Sequence, residues 1–225
     1  KAGVSPLMQN EAGENALIVA VKNGDQARFD VFIQYMPEQR GEGAPVNMKD
    51  TQAKTALLHA AEQGNRRMVE ALLAEGADIL GFDVALHTLL HYTILRGDLQ
   101  LTQLALRRAK SLPNGKRELL DFSNHLAQTP LLLALEKRHA ELAKILLEEG
   151  ADPNIANRRN HTPLMVVARQ GETALVDTLL ANGAEVNVVE LSGDTALTYA
   201  LKGGHEAVAV RLLGAGADPS LYKDC

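Results

Sequence analysis

The sequence predicts an all-α solenoid of six stacked helix-turn-helix units with projecting hairpin loops, and three observations carry that expectation. A ten-residue segment running from a small polar residue to a glycine or its equivalent recurs six times along the chain. A Gly-Ala-Asp or Gly-Ala-Glu step follows four of those segments at a constant distance. The 225 residues are 46% hydrophobic but only 4% aromatic and contain no Trp. Leu, Ala, Val and Ile must therefore fill the interior, which suits closely packed short helices better than a thick sheet sandwich.

The segments are NALIVAVKNG from Asn15, TALLHAAEQG from Thr55, TLLHYTILRG from Thr88, TPLLLALEKR from Thr129, TPLMVVARQG from Thr162 and TALTYALKGG from Thr195. Their starts are 40, 33, 41, 33 and 33 residues apart, so a 33-residue unit is lengthened twice, by seven and eight residues. The Gly-Ala step falls twelve residues beyond a segment end, at Gly76, Gly150, Gly183 and Gly216. The first and third units have Met36 and Ala109 there instead, and these are the units that carry the insertions. The expected repeats cover 9–47, 48–80, 81–121, 122–154, 155–187 and 188–220 within a single domain, 1–225.

Each element has a local cause. Thr or Asn at the head of a segment accepts a backbone N–H as a helix N-cap, and Pro130 and Pro163 occupy the first helical position, where no N–H is missed. Apolar residues then recur at spacings of three and four, as in Leu57, Ala60, Ala61 and Leu164, Val167, Ala168, and glycine ends the helix in left-handed geometry. A second apolar pattern follows, as in Met68, Val69, Leu72, Leu73, and ends at the Gly-Ala step, giving two antiparallel helices. No hairpin buries its apolar face alone, so neighbours must stack and end units should be more polar. Gln26, Arg28 and Asp30 mark the first unit as such a cap.

This pattern resembles the ankyrin repeat, whose TPLHxA segment and GAD turn are matched by Thr129-Pro130-Leu131, Thr162-Pro163-Leu164, Thr88 with Leu90-His91, and the four Gly-Ala turns. The resemblance runs from about Gln9 to Ser220. It departs from the family pattern in keeping the His only as His91, in replacing Pro by Ala or Leu in four units, and in placing Arg138 where a glycine is expected. The resemblance implies that the eleven-residue connector before each cap projects as a hairpin finger. It also implies that finger tips and the exposed end of each first helix face a protein partner. Carried over unit by unit, those positions are Lys49, Thr51, Gln52 and Lys54 with Glu62 and Gln63, then Phe82, Val84, Ala85 and His87 with Leu95 and Arg96. They continue with His125, Leu126 and Gln128 with Glu136 and Lys137, then Arg158, Arg159 and His161 with Arg169 and Gln170, and finally Leu191, Ser192 and Asp194 with Lys202.

Phe82, Val84, Ala85 and Leu86 make one finger apolar, and a cluster of exposed apolar groups marks a contact surface unless the residues fold inwards. The first insertion, Pro37 to Pro45, is rich in Gly, Pro and charge and reads as a tolerated surface loop. The second, Ser111 to Asn124, holds Leu119, Leu120 and Phe122, enough to form a short helix or to wedge into a partner's cleft; Leu119 and Phe122 are counted among the contact residues.

Other functions lack support. A net charge of −5 and cations no denser than pairs such as Arg158-Arg159 argue against nucleic acid. The longest apolar stretches, such as Thr129 to Leu135, are too short to cross a bilayer, so a soluble chain is expected. One cysteine, Cys225, rules out an internal disulfide, and its scarcity leans towards export if the source is bacterial, otherwise towards the cytoplasm. The chain opens on Lys1, which leaves open whether a leader preceded it. His87 and His91 are four apart, yet His87 precedes the cap and no acidic or Cys ligand has fitting spacing. No phosphate loop, GxSxG or HExxH occurs, so no catalytic residue, metal or cofactor is expected. The expectation is a monomeric interaction module that binds and regulates a partner protein, inhibiting or stabilising it, with an enzyme as the expected kind of partner. The alternatives are an assembly scaffold forming a homo-oligomer and a metal-dependent enzyme using His87 and His91.

Overall fold

The computed structural model describes residues 8–35, 43–112 and 115–221. Met36, residues 37–42 of the first insertion, Pro113 and Asn114 of the second, and Cys225 lie outside the described residues. Among the described residues the elements are helical, with isolated β-bridges only. In chain order they are α1 (Ala16–Lys22), α2 (Gln26–Tyr35), α3 (Ala56–Gln63), α4 (Arg66–Ala74), α5 (Leu89–Leu95), α6 (Leu99–Ala109), α7 (Gly115–Asp121), α8 (Pro130–Glu136), α9 (Ala140–Glu148), α10 (Pro163–Gln170), α11 (Thr173–Ala181), α12 (Ala196–Lys202) and α13 (Glu206–Gly214).

Every first helix starts at the expected cap. The side-chain oxygens of Asn15, Thr55, Thr129, Thr162 and Thr195 accept from the amide three residues on, at 2.9 to 3.4 Å. At Thr88 the backbone amide donates to His91 Nδ1 at 3.3 Å, and Oγ1 lies 2.9 Å from the same nitrogen. An amide can only donate, so Nδ1 accepts and the fully buried His91 ring carries its proton on Nε2. Gly64 and Gly171 end α3 and α10 at φ of 72° and 77°, and an added Cβ would sit 2.6 Å from the Arg96 guanidinium or 2.5 Å from the His205 ring. Arg138 adopts the same left-handed geometry, φ 59°, without being glycine.

The chain divides into two compact units, Lys1–Leu119 and Leu120–Cys225. In the first, α1 packs on α2 and α3, α3 on α4 and α5, α2 on α4, and α5 on α6. In the second, α8 packs on α9 and α10, α10 on α11 and α12, α11 on α9 and α13, and α12 on α13. Within each unit the main helix contacts thus run inside a hairpin or to the adjacent one, as nearest-neighbour stacking requires. First helices lie inside the stack and are buried almost all round: Leu131 to Leu135 are at most 3% exposed. Each such Leu contributes about 2 kcal/mol of burial. Second helices bury one face, as with Met68, Val69 and Leu72 of α4. Terminal α2 buries only Phe29.

The insertions end in ordered structure. The first runs into a short 3-10 turn, Pro45–Asn47, whose Pro45 carbonyl accepts from the buried Asn15 side chain at 2.8 Å. In the third unit no glycine stops α6 at the usual place, so it extends to a fully buried Ala109. The second insertion then forms α7, which turns Leu119 and Leu120 inwards at 0% and 2% exposure. Leu119, expected among the partner contacts, is therefore a core residue: once the insertion is helical, its apolar side is sequestered from water.

Candidate protein-binding face

A finger precedes each first helix, and all six are built alike. An acceptor side chain five residues before the cap, Asn10, Asp50, Asp83, Asn124, Asn157 or Glu190, takes the amides two and four residues further on. The same residue's amide donates to the carbonyl four on, closing the hairpin. This leaves the fourth residue in left-handed geometry: Gly13, Ala53, Leu86, Ala127, Asn160 and Gly193, with φ from 57° to 89°. For the non-glycine residues that geometry costs about 1 kcal/mol each, so the surrounding bonds over-determine it. Successive fingers are tied by amide-to-carbonyl bonds, Thr51 to Ala12 and Val84 to Gln52 at 3.0 Å, and Leu191 to Arg159 at 3.1 Å.

A second device braces four of the six finger bases against their own helices. Lys54 Nζ donates to both Glu62 carboxylate oxygens at 2.9 Å, and Lys202 Nζ to both Asp194 oxygens at 2.7 and 3.0 Å. Lys22 with Glu14 and Gln128 with Glu136 pair in the same way. In every case one residue immediately precedes the cap and its partner lies eight further along. A third device caps the neighbouring repeat: Gln63 donates to the Lys22 carbonyl, Arg96 to Glu62 O and Gln170 to Leu135 O, at 2.8 to 2.9 Å.

Beneath the fingers of the first unit lies a polar network. The Tyr92 hydroxyl donates to Asp83 Oδ2 at 2.6 Å, and His59 Nε2 meets Asp50 Oδ2 at 2.8 Å. Burial alone would raise the Asp50 and Asp83 carboxyls, but hydrogen bonds from His59 and two amides, and from Tyr92 and two amides, outweigh it and hold both below the ordinary carboxylate value. Burial and the Asp83 carboxylate push Tyr92 upwards. In the second unit the corresponding place holds His161, whose ring lies 5.0 Å from that of Tyr199. Burial, then Arg169 and Arg159, lower its titration against the pull of Glu190.

The expected contact residues fare unequally. Phe82 is 38% and Val84 69% exposed, while Ala85, Leu86 and His87 are half-buried. Lys49 stands 5.5 Å over the Phe82 ring. Leu95, Leu126, His125, Arg158 and Arg159 are exposed, and Phe122 is half-buried. Arg96 is exposed but turned back onto the preceding helix. Lys54, expected to reach a partner, is 9% exposed and held by Glu62 beside the Tyr92 ring. Tyr92, His59 and Tyr199, absent from the expected set, share one column, the fourth residue after each cap. Among the described residues no cluster of three or more His, Cys, Asp or Glu side chains could hold a metal. No described helix is long and apolar enough to cross a membrane.

Tandem helical hairpins, each headed by a hydrogen-bonded finger and stacked on its neighbours within its unit, define a class of helical repeat protein. The family model for ankyrin repeats (three copies) matches residues 2–83 and 150–223, and the single ankyrin repeat model matches 128–158. The chain belongs to the ankyrin repeat family. Among curated proteins it is similar to the fruit fly (Drosophila melanogaster) transient receptor potential cation channel subfamily A member 1, 31% identical over 63% of this chain and 12% of the channel. It is also similar to NF-kappa-B inhibitor alpha of the pig (Sus scrofa), 38% identical over 32% of this chain and 22% of the inhibitor. Ankyrin repeat domain-containing protein 63 of the mouse (Mus musculus) is 30% identical over 60% of this chain and 33% of that protein. The chain therefore spans at most a third of these relatives.

Proposed function

We propose that the chain binds a folded partner protein through its fingers and the exposed ends of its first helices, and regulates it by blocking a groove or stabilising its fold. An enzyme is the kind of partner we favour. The observation that carries this reading is the third finger, where two large apolar side chains, Phe82 and Val84, stand in solvent on a hairpin held by Asp83 and the second finger. Apolar side chains on a pre-ordered loop lose little entropy on binding and are the usual anchors of protein interfaces. Leu95, in the same unit, adds to the apolar surface available to a partner. The name of one relative, an inhibitor of NF-kappa-B, is in keeping with regulation by binding.

The test is co-purification from the source cell with the intact chain and with Phe82→Ser/Val84→Ser. The double variant should keep its helical circular dichroism and lose the partner. Retention of the partner by the double variant would move the contact elsewhere. A concentration-dependent dimer in light scattering, with nothing else captured, would favour a homo-oligomeric scaffold instead.

A further inference from the structure

The brace between finger base and helix end is missing from two repeats: α5, whose paired positions hold His87 and Leu95, and α10. At α1, α3, α8 and α12 the paired positions hold Glu14 and Lys22, Lys54 and Glu62, Gln128 and Glu136, and Asp194 and Lys202. At α10 they hold His161 and Arg169, two groups unable to neutralise each other. His161 is 9% exposed, and its buried Nε2 has no hydrogen-bond partner. Glu190 pulls the titration of His161 upwards, but it is itself buried and its Oε1 is committed to the Ser192 and Asp194 amides. The guanidinium groups of Arg158, Arg159 and Arg169 are exposed and pair with no carboxylate among the described residues.

We infer that this finger and the end of α10 form a seat for a carboxylate of the bound protein, an Asp or Glu in an acidic stretch of its surface, which closes the brace the chain leaves open. The inference rests on the reading that the chain holds a protein. In α3 and α8 the position of Arg169 is filled by Glu62 and Glu136, so the repeat architecture already places a carboxylate over a finger base. In α10 the bound protein supplies it. Arg159 and Arg169 both bear electrostatically on His161 and Tyr199, whose rings lie 5.0 Å apart. Such forks match carboxylate geometry, and in a half-desolvated setting the pairing is worth more than on open surface. Two carboxylates bear on the same ring pair, Glu190 and Asp194, and Asp194 is already paired with Lys202. A few arginines around one ring are too few to release the counterions that nucleic-acid binding needs. Burial, and after it the uncompensated arginines, lower the titration of His161; an arriving carboxylate offsets the arginines, so docking is accompanied by proton uptake at the imidazole.

The test uses the full chain with fluorescent hepta-glutamate, hepta-lysine and a short single-stranded oligonucleotide, read by anisotropy at about 50 mM salt, where charge pairing is weakly screened. Hepta-glutamate should bind, and Arg169→Glu should weaken it by about tenfold or more while leaving the melting temperature equal or higher, because the new carboxylate faces His161. Arg169→Lys should retain most of the affinity. The His161 ring, followed by NMR, should titrate at higher pH when hepta-glutamate is bound. Equal hepta-glutamate binding by the parent chain and Arg169→Glu, or none by either, overturns the inference; so does tighter binding of the oligonucleotide through the same arginine. Partner capture lost in Phe82→Ser/Val84→Ser but indifferent to Arg169→Glu sinks the carboxylate seat alone. Hepta-glutamate binding with no protein captured sinks the partner-binding reading instead.

Discussion

The two units are built from the same repeat and differ in the chemistry of what they expose. In Lys1–Leu119 the polar side chains under the fingers satisfy one another: Lys22 with Glu14, Lys54 with Glu62, His59 with Asp50, Tyr92 with Asp83. What this unit leaves in solvent at finger three is apolar, Phe82 and Val84. In Leu120–Cys225, Lys137, Arg158, Arg159 and Arg169 are exposed without an ion pair among the described residues, and His161 has a buried unpartnered nitrogen. The difference shows which parts of a repeat are free to change. Finger and cap acceptors bind backbone amides that every repeat exposes, so each repeat needs one. The brace joins two side chains and can be reversed in sign, as between Glu14–Lys22 and Lys54–Glu62, or left open, without undoing the hairpin.

The sharpest break in this comparison should come from the finger acceptors. Asp83 is 4% exposed and takes two amides and the Tyr92 hydroxyl, so Asp83→Ala strands one buried and two part-buried donors. We expect a loss of about 3 kcal/mol in urea unfolding. Asn157 takes two amides and no buried hydroxyl, and Asn157→Ala should cost about 1 kcal/mol. Equal losses would mean that the network of the first unit adds nothing to its frame.

Acid should separate the units by window. The Asp50 and Asp83 carboxyls lie below their ordinary 3.8, so the stability they contribute is present above that value and is lost as pH falls through their lower folded values. His161 is a base held below its ordinary 6.5, so the unfolded chain takes up its proton first, and stability declines as pH falls from 6.5 towards the folded value. Hydrogen exchange resolved by unit should therefore show the second unit loosening first, near neutrality, and the first only in strong acid. His161→Ala should flatten the first decline, and Asp50→Asn/Asp83→Asn the second. A common window for both units would contradict the burial assigned to His161.

Much of this was readable in the chain, and the reasons differ by element. Caps at Asn15, Thr55, Thr88, Thr129, Thr162 and Thr195 are local chemistry, and all six initiate helices. The finger acceptors were equally readable, since Asn10, Asp50, Asp83, Asn124, Asn157 and Glu190 each stand five residues before a cap; five are Asn or Asp, but the longer Glu190 masks the column. The brace escapes a pattern search because its partners are eight apart and exchange charge between repeats. Leu119 was not readable at all: whether an insertion helix turns its leucines to the core or to a partner depends on what surrounds it. Lys54 failed similarly, because a finger-base lysine is exposed until Glu62 and the Tyr92 ring take it in.

The smallest expected effect tests the local rule that the second unit breaks. Its α8 ends on Arg138 at φ 59°, where α3 and α10 use glycine. A side chain there crowds the following carbonyl, at a cost of about 1–2 kcal/mol, partly offset because glycine has more freedom to lose on folding. The Arg138 guanidinium returns little, since its contact with Glu172 is 4.0 Å long and both side chains are well exposed. Arg138→Gly should therefore stabilise the second unit by about 0.5–1 kcal/mol, seen as a higher urea midpoint with an unchanged slope. A loss instead would show that this arginine holds the turn through its side chain, and that the second unit, like the first, draws part of its frame from polar groups under the fingers.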